Sequence, residues 1–471
     1  MTAGPRTRVL VVGGGIAGLV AAHELGASYD VTVLEGSDRV GGKLRTDGVA
    51  GVQVDVGAEA MLSRRPEGID LVSSLGHGVV HPTAATSRVW SRGALRPLPR
   101  SLMGVPLDLP ALESSGLLSP AGLAAVRAEP SSPGTDVTED VSVGDLVAGR
   151  LGEEVVDRLV EPLLGGVYAG HARLLSAAAT VPQLWEMARR GSLLEQATAL
   201  PASDAPVFAS LEGGMGRLPN LVVDHGRFTV RTGATVRGVR RTPDGFEVVV
   251  GSAAAPEVLT ADHVVLATQA APTARLLAGL APTAAAELAE VESASMAVVT
   301  FALRTADLVG SEVDTGLSGF LVPPVEGRRI KASTFSFAKW DWVRAAGRGA
   351  ADGEDVVLLR TSLGRHREEA DLQVEDDELV ARSLVDLRAA VGLTATPVDV
   401  HVQRWGGGLP QYAVGHLDRV SRVRADVARV SAEGTVAAGR IAVCGAAYDG
   451  VGIPAVIGSA RRAAEEIAAA Q

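Results

Sequence analysis

The chain has 471 residues, 46% of them hydrophobic and 21% charged, enough apolar material for two or three domains rather than one. A net charge of −11 argues against nonspecific nucleic-acid binding, and no run of 18 apolar residues announces a membrane span. The single cysteine, Cys444, allows no internal disulfide and fits a reducing cytoplasm, and with only Lys43, Lys331 and Lys339 as lysines, arginine has to supply most of any cationic site.

Met1 to Arg8 runs straight into Val9-Leu-Val-Val12, which reads as a buried strand over 8–12 and not as the core of a signal peptide. A helix over 15–26 and a strand over 30–35 complete a βαβ opening. From about 60 to 125 the pattern loosens, with a Pro-punctuated apolar stretch at 97–106, and 129–140 reads as an exposed loop. Helical signals occupy 142–163 and 183–199. Strand signals return at 228–231, 246–250, 263–267, 296–303, 318–322, 356–362 and 398–405, with an amphipathic helix at 375–391. The last strand is Ile441 to Gly445, followed by a helix from Pro454 to Ala470. No internal repeat is visible. The expected class is α/β with mixed α+β character: a Rossmann-like domain built from discontinuous segments, a mixed β-sheet domain and a helical insertion.

Gly13-Gly14-Gly15-Ile16-Ala17-Gly18 lies between the first strand and the first helix. Gly13 suits the tight turn, Gly15 a close approach to a diphosphate, and Gly18 close packing of helix on strand. The helix N-terminus offers free N–H groups and a positive dipole end. Glu35 closes the second strand 17 residues beyond Gly18, where a carboxylate can accept from the hydroxyls of an adenosine ribose, and Gly36 follows it. FAD is favoured over NAD by a second glycine turn flanked by cations, Arg39-Val-Gly41-Gly42-Lys43-Leu44, and by the strand-ending Gly57-Ala58-Glu59-Ala60. A third segment, Gly445 and then Val451-Gly452-Ile453-Pro454, puts another helix N-terminus where it can face the flavin pyrimidine. Cys444, inside a strand, reads as a small buried hydrophobe, so FAD is expected to be noncovalent.

Further segments carry a resemblance: Glu161-Pro-Leu-Leu-Gly-Gly-Val-Tyr-Ala-Gly170, Leu175-Ser176, Val181-Pro182, Arg404-Trp405, Pro410-Gln-Tyr-Ala-Val-Gly-His416 and Gly450-Val-Gly-Ile-Pro454. Over residues 8 to 468 the chain resembles the protoporphyrinogen/coproporphyrinogen oxidase family of amine-oxidase-like flavoproteins, and looks most like the bacterial coproporphyrinogen III oxidases. His171 and the glycine-rich Gly406-Gly-Gly408 depart from the pattern. The resemblance implies three FAD-linked two-electron oxidations of a porphyrinogen, with O2 reduced to H2O2. It also implies an FAD-binding domain over 1–67, 228–272 and 438–471, a substrate-binding domain over 68–90, 205–227 and 273–437, and a helical, membrane-associating domain over 91–204.

Val236 and Trp405 join the expected cofactor set. Arg88 falls on the family's substrate-carboxylate arginine; Arg64 and Arg65 are further candidates for propionates. Gly166 would bring backbone close to the macrocycle, Leu321 would pack on a pyrrole ring, and Tyr412 would flank the substrate. Each has a plainer reading as a strand-edge arginine, a solvated loop, a helix-end glycine or core. His416 reads as structural. No catalytic acid or base and no metal is expected, because pyrrole N–H groups can lose protons by tautomerisation. Alternatives are a protoporphyrinogen IX oxidase, a flavin amine oxidase (disfavoured by 3% aromatics) and a porphyrin carrier. Expected partners are the porphyrinogen, O2 and, transiently, a ferrochelatase. A cytoplasmic monomer or homodimer is expected, with peripheral contact at the inner face of the membrane left open.

Overall fold

A computed structural model describes residues 6–131, 137–201, 203–432 and 439–469. Part of the expected loop at 129–140 lies outside the described residues, as do the first five and last two positions.

Five parallel strands form the first sheet, in the order Thr229–Arg231, Asp30–Leu34, Arg8–Val12, His263–Leu266, Ile441–Val443. The central strands are near-continuous apolar runs, with Val9 to Val12 and Val264 to Leu266 buried, because both faces are covered. Val9, Val11, Val31 and Val33 pack under helices Ile16–Leu25 and Ile453–Ala468. Leu10, Val12, Val264 and Val443 pack under Ala270–Leu277, Pro282–Ala289 and His416–Ala432. Strands from four distant parts of the chain thus share one doubly covered sheet.

The second sheet is mixed and seven-stranded: Asp399–Pro410, Ser293–Arg304, Val356–Leu363, Ile330–Thr334, Leu317–Leu321, Thr86–Ser91, Ala94–Pro97. Only the Leu317–Leu321/Thr86–Ser91 pair is parallel. Its register defines two faces, since facing partners project to the same side. On one face lie Phe320, Arg88, Ser333 and Thr361, with the Thr361 hydroxyl bonded to Ser383 of helix Asp376–Val391 at 2.8 Å. On the other lie Leu321, Val89, Ala332 and Ser362, and with them Gly319, Thr334 and Arg360.

The helical insertion has its own apolar core, from Val105 to Ala197. Five of its helices start at side-chain caps: Asp108, Ser119, Ser142, Ser176 and Ser192 each accept from a backbone N–H in the first turn. A helical rod runs from Glu153 to Tyr168 through a π-turn at Val156–Val160. Pro162 follows that turn, and the wider spacing accommodates its missing N–H and ring.

The glycines at the first turn are not equivalent. A Cβ on Gly18 would stand 1.9 Å from the Gly13 carbonyl oxygen, whereas one on Gly15, at φ −72°, meets nothing within 4 Å. Gly18→Ala is therefore expected to cost about 1–3 kcal/mol of stability through overpacking, and Gly15→Ala to leave stability unchanged. Urea unfolding of both variants checks this contrast.

Candidate functional site

The first two glycine turns are joined. Gly15 and Gly41 form a parallel bridge, and the Gly41 N–H donates to the Gly14 carbonyl at 2.7 Å. Glu35 is fixed at the end of its strand: Oε2 accepts from the Gly14 N–H at 2.6 Å, and Oε1 from the Ser37 N–H at 2.8 Å. Gly36 lies against Thr235, next to Val236. Arg39 braces its own loop by donating to the Val40 and Gly42 carbonyls, at 3.1 and 2.9 Å. Lys43 has no hydrogen-bond partner among the described residues, and burial lowers its pKa. The open space at Gly15, the helix N-terminus behind it and an unpaired cation nearby make a cradle that fits a diphosphate.

Residues 57–60 form the floor. The Ala58 N–H donates to the Lys43 carbonyl at 3.1 Å, and Trp405 lies against Gly57, its Nε1 donating to the Val56 carbonyl at 3.3 Å. The Glu59 carboxylate is not free. It is buried and paired with Lys339 at 2.6 Å and Arg360 at 2.9 Å. Burial works to raise its pKa, but the two cations hold it below the usual carboxylate range. Only the backbone here remains to meet a cofactor. Burial pushes neighbouring Asp55 up to about 7, against the N–H groups of Met215 and Gly216 that bond it. Neither Lys339 nor Arg360 was visible as a site residue in the sequence, because each lies in an ordinary strand-and-helix pattern.

The third segment closes the cradle. Gly445, at φ +127°, faces Ala17, and its N–H donates to the Ser459 hydroxyl at 3.2 Å. Val451, Gly452 and Ile453 lead into the closing helix. Cys444 is fully buried, which pushes its thiol up to about 12.

Tyr412 is tied into the fold at both ends of its hydroxyl's reach. Its hydroxyl donates to the Ala446 carbonyl at 2.6 Å and accepts from the Gly450 N–H at 2.8 Å. Its ring stacks on His416 with centroids 3.8 Å apart, and the residue is 1% exposed. It latches the turn that carries the third glycine segment.

Of the expected substrate residues, Gly166 and Leu321 come together: a Cβ on Gly166 would lie 3.9 Å from the Leu321 side chain. Arg88 does not join them. It pairs in register with Phe320 while Val89 pairs with Leu321, so strand alternation turns Arg88 toward helix Asp376–Val391 and away from the cradle. Ser87 stands on the Leu321 side instead, its hydroxyl 3.1 Å from that of Ser318. Arg65 is tied to Glu67 at 2.6 Å, and Arg64 is exposed.

A doubly covered parallel sheet with a glycine turn, a strand-end glutamate and an open diphosphate cradle defines a dinucleotide-binding flavoprotein fold. The family model "flavin containing amine oxidoreductase" matches residues 16–468. The chain is 37% identical to the coproporphyrinogen III oxidase of Mycobacterium tuberculosis, over 97% of this chain and 96% of the relative. It is 27% identical to that of Bacillus subtilis, over 98% of each. A crystal structure from Exiguobacterium sp. 255-15, provisionally named protoporphyrinogen oxidase, superposes with a TM-score of 0.84 at 29% identity, over 99% of both chains. The chain belongs to the flavin-containing amine oxidoreductase family, in the branch that holds the coproporphyrinogen III oxidases.

Burial, with Arg419 nearby, pushes the His416 pKa from 6.5 down to about 4. The folded state therefore favours the neutral ring. This contributes stability that is fully present above pH 6.5 and is lost as pH falls through 4. His416→Phe keeps the stacking and removes the titration. Its denaturation free energy should fall less than that of the unsubstituted protein between pH 7 and pH 4.5, as measured by urea unfolding at each pH.

Proposed function

We propose that the protein oxidises coproporphyrinogen III to coproporphyrin III with FAD, reducing O2 to H2O2. The observation that carries this is the end-to-end likeness to the Mycobacterium tuberculosis enzyme, at 37% identity, together with a cradle whose empty space fits the cofactor. Bound FAD supplies the two-electron acceptor. In this reading the backbone of Gly13 to Gly18 and of Gly42 to Leu44 holds the diphosphate, and Glu35 binds the ribose. A carboxylate has roughly four acceptor directions. Gly14 and Ser37 backbone take two, and the Ser37 hydroxyl has an alternative acceptor in the Arg39 carbonyl at 2.7 Å, so room remains for ribose hydroxyls. The backbone of Gly57 to Ala60, Trp405, Gly445 and Val451 to Ile453 would enclose the ring, and Gly36 and Val236 the adenosine end. Noncovalent attachment fits the enclosed, proton-holding Cys444.

The protein's own contribution is to orient the macrocycle beside Gly166 and Leu321 and to exclude water. No helix among the described residues is long and apolar enough to cross a membrane. A cytoplasmic site of action with transfer of product to a ferrochelatase belongs to the same proposal. The second reading, a protoporphyrinogen IX oxidase, is favoured by the Exiguobacterium neighbour.

Oxygen uptake and peroxide release with each porphyrinogen side by side test the proposal. Faster turnover of coproporphyrinogen is expected, and no oxygen consumption with either compound would refute the activity. Acid precipitation should leave FAD in the supernatant. Glu35→Ala should weaken FAD binding to the apoprotein by about 1.5–3 kcal/mol per ribose hydrogen bond lost, and Gly15→Ala should weaken it without loss of stability. Unchanged FAD affinity in both would remove the cradle assignment.

A further inference from the structure

With Arg88 on the far face of the seven-stranded sheet, the side that carries Leu321 needs another source of positive charge for an anionic macrocycle. Two buried cations lie one residue beyond Leu321. Lys331 occupies a register shift between Ile330 and Ala332, and its backbone carbonyl accepts from the Val322 N–H at 2.9 Å. Lys331 is 3% exposed, and its ammonium donates to the Gly364 carbonyl at 3.1 Å, its single partner among the described residues. Arg365, 7% exposed, donates once, to the Val322 carbonyl at 3.4 Å. The nearest carboxylate to it is Glu368 at 4.0 Å, beyond hydrogen-bond reach and itself exposed.

Two adjacent buried cations whose hydrogen bonds go to carbonyls, with a carboxylate only at 4.0 Å from one of them, are costly. Glu161, on the helix over Leu321, accepts from the Ala172 N–H at 3.0 Å and leaves its other oxygen without a partner. Burial raises its pKa. Burial, and then the Arg365 charge, bring Lys331 down to about 7. An incoming carboxylate would satisfy both cations, Arg365 with its fork and Lys331 as a point charge. Beside Leu321 itself the backbone of Gly166 leaves open space, since a Cβ there would meet only Leu321 within 4 Å.

We propose that Lys331 and Arg365 form a subsite for one carboxylate of the tetrapyrrole, and that this subsite favours a substrate bearing a carboxylate there over one bearing an apolar group. The proposal rests on the porphyrinogen reading above. Coproporphyrin III, with four propionates, and protoporphyrin IX, with two propionates and two vinyls, are the probes. Each is titrated into FAD-loaded protein by fluorescence, alongside KM for the matching porphyrinogen. Arg365→Gln and Lys331→Met are expected to weaken coproporphyrin binding about tenfold or more while changing protoporphyrin binding less than about twofold. Lys331→Met removes a buried charge with little change of shape, so it serves if Arg365→Gln fails to fold. Equal weakening of both probes, or no change in either, overturns the subsite while leaving the oxidase reading intact. Unsubstituted protein that consumes no oxygen with either porphyrinogen refutes the activity itself, and the subsite with it.

Discussion

The two sheets are held in one site by a buried charge cluster. Arg360, in the middle of the second sheet, donates to the Asp55 and Gly57 carbonyls at 3.1 and 2.8 Å and pairs with Glu59. Lys339, just after the Ile330–Thr334 strand, completes the pairing of Glu59. The floor of the cofactor cradle is thus bonded to the sheet that carries Leu321. Removing Glu59 would leave two uncompensated cations in a dry interior, at about 3–5 kcal/mol, whereas removing one cation leaves Glu59 paired with the other. Replacing the whole cluster by apolar groups could be neutral for stability, but it would release the backbone of 57–60 from its fixed approach. The cluster therefore acts on position more than on total stability.

A related division runs through the glycines. Gly18 is demanded by the protein itself, because helix and strand meet there. Gly15 is not: its backbone is ordinary and the space beside it is free. A glycine that the fold does not require, at a helix N-terminus, marks where another molecule has to come close. That distinction separates architecture from binding within a single motif.

Much of the architecture was legible in the sequence. The parallel strands are short apolar runs bounded by glycine, and helix Asp376–Val391 follows the amphipathic pattern over 375–391. Less regular elements escaped. The strand Thr46–Val49 is short and mostly polar, and Ile330–Thr334 carries a lysine at its second position. Helix His416–Ala432 is dense in arginine and valine, which hides its buried face, Val420, Val423, Val427 and Val430. The glycine segments of the cradle converge as their spacing implied. The substrate residues fared worse because their roles turn on parity. A strand residue read one position off faces the opposite side of a sheet, and this separates Arg88 from Ser87. Tyr412 shows a different failure: the type of residue was informative, but a hydroxyl bonded at both sides of a turn looks identical in sequence to one that awaits a ligand.

Charge placement ties these points together. With a net charge of −11, the overall field gives no help to an anionic substrate of the kind proposed. Surface arginines do not solve the problem, since Arg65 and many others are already paired with carboxylates and screened by water. A cation gains discriminating power when it is dry and unpaired, because the low dielectric strengthens its attraction for the right anion and penalises an apolar group that leaves it unsatisfied. In this fold such cations are found where a register shift lifts Lys331 out of the ladder and a strand end delivers Arg365 beside it. The irregularity of the sheet, which obscured the strand in the sequence, is what sets the two charges side by side.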